Sequence, residues 1–200
     1  MAQMICISYL PWQNTPFRTQ RLVTHLPDME TLFFQPAIGQ PASSEGIHVL
    51  PNLTVYTLPA SLFSQDLRPR TIRRGIELIK QQMENNGFEE PLLWACTPMA
   101  ALLLDDIPHH GLIYDCDRFW HHLPVTLESN LAYQADLILT ASQGLEERLS
   151  LCNDNIAQIP WGTDVGLYAS MEQERLPIPP DFEAICTRGP VFGYLGAVEH

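Results

Sequence analysis

Short apolar runs alternate along the chain with stretches in which apolar positions recur at helical spacing, and this continues from residue 4 to about residue 160. Residues 4–9 (MICISY) form the first run, broken at once by Leu10-Pro11-Trp12; such a run predicts a buried strand. Thr15-Pro16 follows, an N-cap residue before a proline suited to the first helical position, and predicts a helix over 16 to about 26. Residues 32–34 lie in a second strand. Residues 49–58, which contain Pro51, read as a further strand-like segment. The clearest helix covers 68 to about 86. There Ile72, Ile76, Ile79 and Met83 make one apolar stripe, and Asn85-Asn86-Gly87 supplies the stop. Residues 92–96 are a continuous apolar run, as expected of a strand buried on both faces. Thr97-Pro98 repeats the earlier cap and predicts a helix over 98–104. Residues 111–114 are the next strand, followed by Asp115-Cys116-Asp117-Arg118. A helix over about 126–134 and a strand over 136–141 come next. Ser142 is expected to cap a helix carrying Glu146 and Glu147 early, where they suit its positive end. Residues 157–159 close the set, and Trp161-Gly162-Thr163-Asp164 turns away.

Strands alternating with helices, several of them apolar on both faces, predict an α/β fold. The expected form is a Rossmann-like, doubly wound parallel sheet of six or seven strands with helices on both faces. The pattern fails over 171–190, where Pro177, Pro179, Pro180 and Pro190 mix with charge, as in a linker. A fresh apolar run begins at Val191. The expected organisation is therefore a domain over 1–170, a linker over 171–190 and the start of a second domain over 191–200.

Composition narrows the function classes. The chain has 200 residues, 46% apolar and 17% charged, which excludes a disordered chain. Eleven basic residues against 23 acidic ones give a formal charge of −12; a duplex nucleic-acid binder needs a basic face, so no nucleic-acid partner is expected. The longest unbroken apolar run, 99–104, has six residues, where a membrane-spanning helix needs about 20. No basic stretch precedes the first apolar run, so no signal peptide is expected. Five cysteines without a C-x-x-C pair fit a reduced, cytoplasmic chain with buried thiols.

Ligands of open parallel sheets bind beyond the carboxyl ends of the strands, which directs attention to the loops after Tyr9, Cys96, Tyr114, Ala141 and Ile159. Neither G-x-G-x-x-G nor G-x-x-x-x-G-K-[ST] occurs, which disfavours a dehydrogenase or a P-loop nucleotidase. Trp12 either stacks on a sugar or base or serves as a half-buried aromatic lid. Arg18 and Arg21 share a helix face, reaching a ligand anion or standing in solvent. Asp115-Cys116-Asp117 at a strand end offers substrate-binding carboxylates or turn and capping duty, and a shared ligand is taken to require a bend in the loop. No metal site is expected. Arg68, Arg70, Arg73 and Arg74 crowd the start of the long helix, where the macrodipole disfavours cations. They either face an anionic partner such as phospholipid or diphosphate, or stand in solvent.

Further stretches complete a series: Pro16-Phe17-Arg18-Thr19-Gln20-Arg21-Leu22, Leu112-Ile113-Tyr114-Asp115-Cys116-Asp117, Ala135-Asp136-Leu137-Ile138-Leu139-Thr140-Ala141-Ser142, Ile159-Pro160-Trp161-Gly162-Thr163-Asp164 and Gly193-Tyr194-Leu195-Gly196. In this order and spacing the chain resembles the N-terminal half of GT-B glycosyltransferases, nearest to glycosyltransferase family 4 and its bacterial cell-surface polysaccharide members. The resemblance implies two Rossmann-like domains facing a cleft, the first binding the acceptor and the second the nucleotide-sugar. It implies retaining transfer without a tightly held metal or other cofactor. Acceptor-side residues would be Trp12, Arg18, Thr97, Asp115, Asp117, Arg118 and Ser142, and donor-facing loops would contribute Pro11, Gly162 and Asp164. Pro11-Trp12 stand where the family places a glycine-containing loop near the donor phosphates, and Trp161 where many members have Asn. The donor domain would begin near Val191, and the chain alone is expected to be inactive, because transfer needs donor and acceptor held in one geometry. The residues 191–195 are expected to mediate self-association into a homodimer, and the four arginines to give peripheral contact with the inner membrane face. Rival readings are a stand-alone α/β ligand-binding or interaction module and a small Rossmann-like enzyme.

Overall fold

A computed structural model describes residues 2–12, 17–39, 42–64 and 68–163, and isolated positions between 165 and 193. The chain divides into two compact units, Met1–Trp161 and Gly162–His200. Fifteen of the twenty positions of the expected linker over 171–190, and all but two positions of the segment over 191–200, lie outside the described residues, as do Thr15 and Pro16.

The first unit is built on one sheet of eight strands: β1 (Ala2–Ile7), β2 (Met29–Pro36), β3 (Ile47–Leu50), β4 (Leu53–Leu58), β5 (Leu92–Ala95), β6 (Gly111–Cys116), β7 (Leu137–Thr140) and β8 (Ile156–Gln158). Their order is β3-β4-β2-β1-β5-β6-β7-β8, and every pair is parallel except β3–β4. The chain winds outward from β1 to β4, then returns past β1 to β5 and winds the other way. The expected doubly wound sheet is thus present, and its direction reverses between β1 and β5.

Side chains alternate across each strand, so the sheet feeds two cores. On one face Ile5, Ile7, Leu32, Phe34, Leu93, Ala95, Leu112, Tyr114 and Ile138 pack under helices α2 (Pro69–Asn86), α3 (Val125–Gln134) and α4 (Gln143–Leu149). On the other, Met4, Cys6, Phe33, Trp94, Cys96 and Leu139 pack with Val23 of helix α1 (Arg18–Thr24). The stripe read on α2 is the buried one: Ile76, Ile79 and Met83 are in the core, and Gly87 ends the helix at φ 70°.

Three elements depart from the sequence reading. The segment over 49–58 is a hairpin rather than one strand. Pro51, which cannot donate to a ladder, falls in the turn, and Asn52 fastens that turn by donating from Nδ2 to Leu26 O and Met29 O (3.0 and 2.8 Å). The hairpin raises the count to eight. The helix expected over 98–104 is a 3₁₀ turn, Pro98–Leu102, capped as expected by Thr97 Oγ1, which accepts from Met99 N (3.3 Å); Asp105, Asp106 and Pro108 follow too soon for a longer helix. Helix α1 is shorter than the helix expected over 16–26. Its cap residue is Phe17, whose N–H is satisfied by the Gln20 side chain (3.0 Å).

Candidate functional site

All parallel strands point the same way, so the loops after β1, β5, β6 and β7 emerge on one edge of the sheet. The strand order reverses between β1 and β5, and in doubly wound sheets the carboxyl edge at such a reversal is the usual ligand position.

The loop after β1 is closed on itself. Ser8 Oγ accepts from Leu10 N (3.1 Å) and donates to Leu10 O (2.9 Å). Pro11 has no N–H, and the Trp12 N–H donates to Gln35 Oε1 of β2. No backbone donor from Leu10 to Trp12 is therefore left to cradle a phosphate. The Trp12 ring is half-buried and packs edge-on against Phe33, with centroids 5.1 Å apart.

Arg18 is buried and paired. Its Nε donates to Asp115 Oδ1 (3.0 Å), its Nη2 lies 3.0 Å from the same oxygen, and its Nη1 donates to the carbonyls of Ile159 and Pro160. The pair is 3% and 1% exposed, so Arg18 is neither a solvated helix charge nor open to a ligand. Desolvation raises the Asp115 carboxyl above its ordinary range, and the attraction and hydrogen bond of Arg18 only partly offset it. One guanidinium thus ties α1, the end of β6 and the segment after β8 together.

Asp117 accepts from Tyr9 Oη (2.6 Å) and from Arg118 Nε (3.3 Å). The Arg118 guanidinium lies 4.6 Å from the centre of the Tyr9 ring, over its face, and Trp120 meets the same ring edge-on at 4.9 Å. Burial first, then the Asp117 charge, push the Tyr9 phenol far above its ordinary value, so it remains a donor. No bend was needed to bring the two acids to one side: positions i and i+2 of an extended strand share a face, and the Asp117 charge is among the causes that raise Asp115. The outer surface beside this cluster is Arg118, Phe119 and His121, all exposed, while the Asp117 side chain is only 7% exposed; Phe119 and His121 stack at 5.4 Å.

The opposite face of β6 is pinned separately. Arg148 of α4 makes a two-pronged pair with Glu128 of α3 (2.6 and 2.7 Å), and Glu128 Oε1 also accepts from Tyr114 Oη (2.8 Å). Burial raises the Cys116 thiol to about 12. Both faces of the strand that presents Asp115 and Asp117 are thus locked by ion pairs.

No family description and no curated protein matches the chain. Solved structures do. The chain aligns with sucrose-phosphate synthase from Thermosynechococcus elongatus at TM-score 0.60 and 15% identity, over 88% of this chain and 53% of that one. It aligns with the E. coli trehalose-6-phosphate structure bound with UDP-2-fluoro glucose at TM-score 0.59 and 12% identity, over 93% and 54%. A shorter sucrose-phosphate synthase chain from the same Thermosynechococcus is covered over 96% of its length, at TM-score 0.54 and 16% identity. The fold is the Rossmann-like fold of a GT-B domain. The chain spans about half the length of the two longer structures.

Within this GT-B domain the remaining expected residues are scattered. Thr97 is buried, its hydroxyl engaged in the cap. Ser142 occupies the N-cap of α4 and is exposed, but its side chain makes no cap hydrogen bond, contrary to the expectation. Gly162 is exposed in the second unit, and Asp164 lies outside the described residues. The reading of the sequence missed Tyr9, Gln35 and Trp120. Tyr9 closes the first apolar run and Trp120 belongs to the segment after β6, so both lay beside motifs already singled out. Gln35 carried no signal at all.

Proposed function

We propose that the chain is the acceptor-binding half of a glycosyltransferase that moves a sugar from a nucleotide diphosphate sugar to a glycan or lipid-linked acceptor. One observation carries this reading: an aromatic and ionic cluster, Tyr9, Asp117, Arg118 and Trp120, lies with Trp12 at the carboxyl edge of a GT-B sheet, where the N–H groups of Leu10 and Trp12 are both taken within the chain. Sugars present an apolar ring face and a rim of hydroxyls. Trp12 and Phe119 supply aromatic surface for the face, exposed Arg118 has donors beyond the one given to Asp117, and the nearly buried Asp117 carboxylate holds Arg118 in place. Arg18 and Asp115 act as positioning residues under this surface. The donor sugar would approach from a second domain, begun over 191–200 after a connector over 171–190, with Gly162 and Asp164 on its side. The chain covers only 54% and 52% of the solved structures that carry UDP-2-fluoro glucose or ADP with acarbose, which is consistent with that division. In this reading the chain alone transfers no sugar, retains no cofactor and acts in the cytoplasm in cell-surface polysaccharide assembly.

Calorimetry with UDP-, ADP- and GDP-sugars and with a panel of oligosaccharides tests the assignment. Oligosaccharide binding lost on Asp117→Ala, with no nucleotide-sugar binding, is the expected result. Micromolar nucleotide-sugar binding that disappears on Trp12→Ala would contradict it.

A further inference from the structure

We infer that the acceptor bound beside Arg118 carries a carboxylate, as a uronate residue does, and that the Arg118 guanidinium reads it. The inference names a substrate class for the function proposed above and rests on that reading. Its starting point is an exposed arginine that the fold holds still. The Arg118 side chain is 44% exposed, yet its Nε donates to Asp117 Oδ1 (3.3 Å) and its guanidinium lies 4.6 Å from the centre of the Tyr9 ring and 5.9 Å from that of Trp120. Its backbone carbonyl accepts from the Cys116 thiol (3.4 Å). Asp117 is fixed in turn by Tyr9 Oη (2.6 Å), and burial, then the Asp117 charge, keep that phenol protonated. Ordering a long side chain on binding costs rotamer entropy; here the guanidinium is ordered before any ligand arrives, which favours affinity.

Asp117 engages the Nε side of the guanidinium. Among the described residues Nη1 and Nη2 of Arg118 have no hydrogen-bond or ion-pair partner. Two N–H groups on one planar cation match the two oxygens of a carboxylate. The neighbouring cations are spent: Arg18 is buried against Asp115, and Arg148 gives both Nη groups to Glu128. A phosphate monoester carries nearly two charges and three acceptor oxygens, and the N–H groups of Leu10 and Trp12 that could add donors are taken. One free fork with one charge therefore favours a carboxylate over a phosphate. The sugar that bears the acid has a surface to meet. Phe119 follows Arg118 directly, is exposed, and stacks with exposed His121 at 5.4 Å and 8°. In a hexuronate the carboxylate is bonded to a ring carbon, so ring and acid need neighbouring partners, and these consecutive residues supply them.

The test is calorimetry of the 200-residue chain with oligosaccharides containing glucuronate, galacturonate or mannuronate, each beside its methyl ester, and with hexose phosphates. The ester keeps the sugar and removes the charge. At least one acid is expected to bind on the order of tenfold more tightly than its ester, as for hydrogen bonds to a charged group. Arg118→Gln is expected to level acid and ester, with the circular dichroism of the parent. Arg118→Lys keeps the charge without the fork and is expected to retain only part of the preference. A purely structural Arg118 would change the melting temperature and leave the preference untouched. Equal binding of acid and ester across the panel, or a preference that survives Arg118→Gln, would overturn the inference and leave the function proposed above standing. Tighter binding of a hexose phosphate than of every uronate would also overturn it, assigning Arg118 to a phosphate. Absence of any saccharide binding would remove that function and the inference with it.

Discussion

Replacing Arg18 by Met removes the cation that holds Asp115 and releases the carbonyls of Ile159 and Pro160. Breaking a buried pair from one side costs about 3–5 kcal/mol when the remaining charge stays buried, so about 4 kcal/mol is expected at pH 8. Asp115 can escape part of that cost by taking up a proton. Its carboxyl is already raised from 3.8 by desolvation, and Arg18 supplies the chief opposing influences; without Arg18 it rises further. An acid whose folded-state pKa lies above its unfolded one stabilises the fold at low pH and loses that contribution as pH rises through the folded value. At pH 5, keeping Asp115 protonated against an ordinary value near 4 costs at most about 1.6 kcal/mol, at 1.36 kcal/mol per pH unit. With the two freed carbonyls the deficit there should be about 2 kcal/mol. For a unit of this size 1 kcal/mol moves the melting temperature about 2–4 °C, giving losses of about 8–16 °C at pH 8 and about 4–8 °C at pH 5. Thermal melts of Arg18→Met against the parent across this range are the assay, with Arg18→Met/Asp115→Asn expected to be flat in pH. A deficit that is negligible at pH 8, or equal at both pH values, would refute the reasoning.

Tyr9→Phe removes the donor to Asp117 and should cost about 1.5–3 kcal/mol, as for a hydrogen bond to a charged group, read from urea unfolding. Because burial holds the Tyr9 and Tyr114 phenols well above their ordinary range, an alkaline ultraviolet titration of the folded parent should find at least two fewer phenolates than the unfolded chain. Burial raises the Cys96 thiol well above its ordinary value and the Cys116 thiol to about 12, so a thiol reagent at neutral pH should label half-buried Cys152 before Cys6, Cys96 or Cys116, as checked by peptide mass mapping. Gly46→Ala places a methyl 2.6 Å from Thr54 Cγ2 and from the Tyr56 ring, an overpacking expected to cost about 1–3 kcal/mol; a melting temperature at or above that of the parent would count against it.

The fold was legible because the strands buried on both faces write themselves as unbroken apolar runs, 92–96 being the plainest. Strand β3 left no such trace: His48 and the exposed Ile47 and Val49 lie at the sheet's edge, paired only to β4. The site was legible as loops and not as contacts. Asp115 and Asp117 were found because they end a strand, but their partners Arg18 and Tyr9 are 97 and 108 positions away, and no local pattern encodes such pairing. Arg18 shows the limit most clearly. On a helix that also carries Arg21 it looks like a surface charge, and only the tertiary fold buries it against a carboxylate.

The most direct test of the central claim is a two-dimensional nuclear magnetic resonance titration of the labelled chain with acceptor oligosaccharides and, separately, with nucleotide sugars. The account predicts that saccharides shift the Trp12 and Trp120 indole signals and the backbone signals of Tyr9 and residues 117–119, with little change in Trp94, buried in the sheet. It predicts no comparable response to nucleotide sugars. Shifts at the loop after β1 from nucleotide sugars alone, with none from any saccharide, would contradict it.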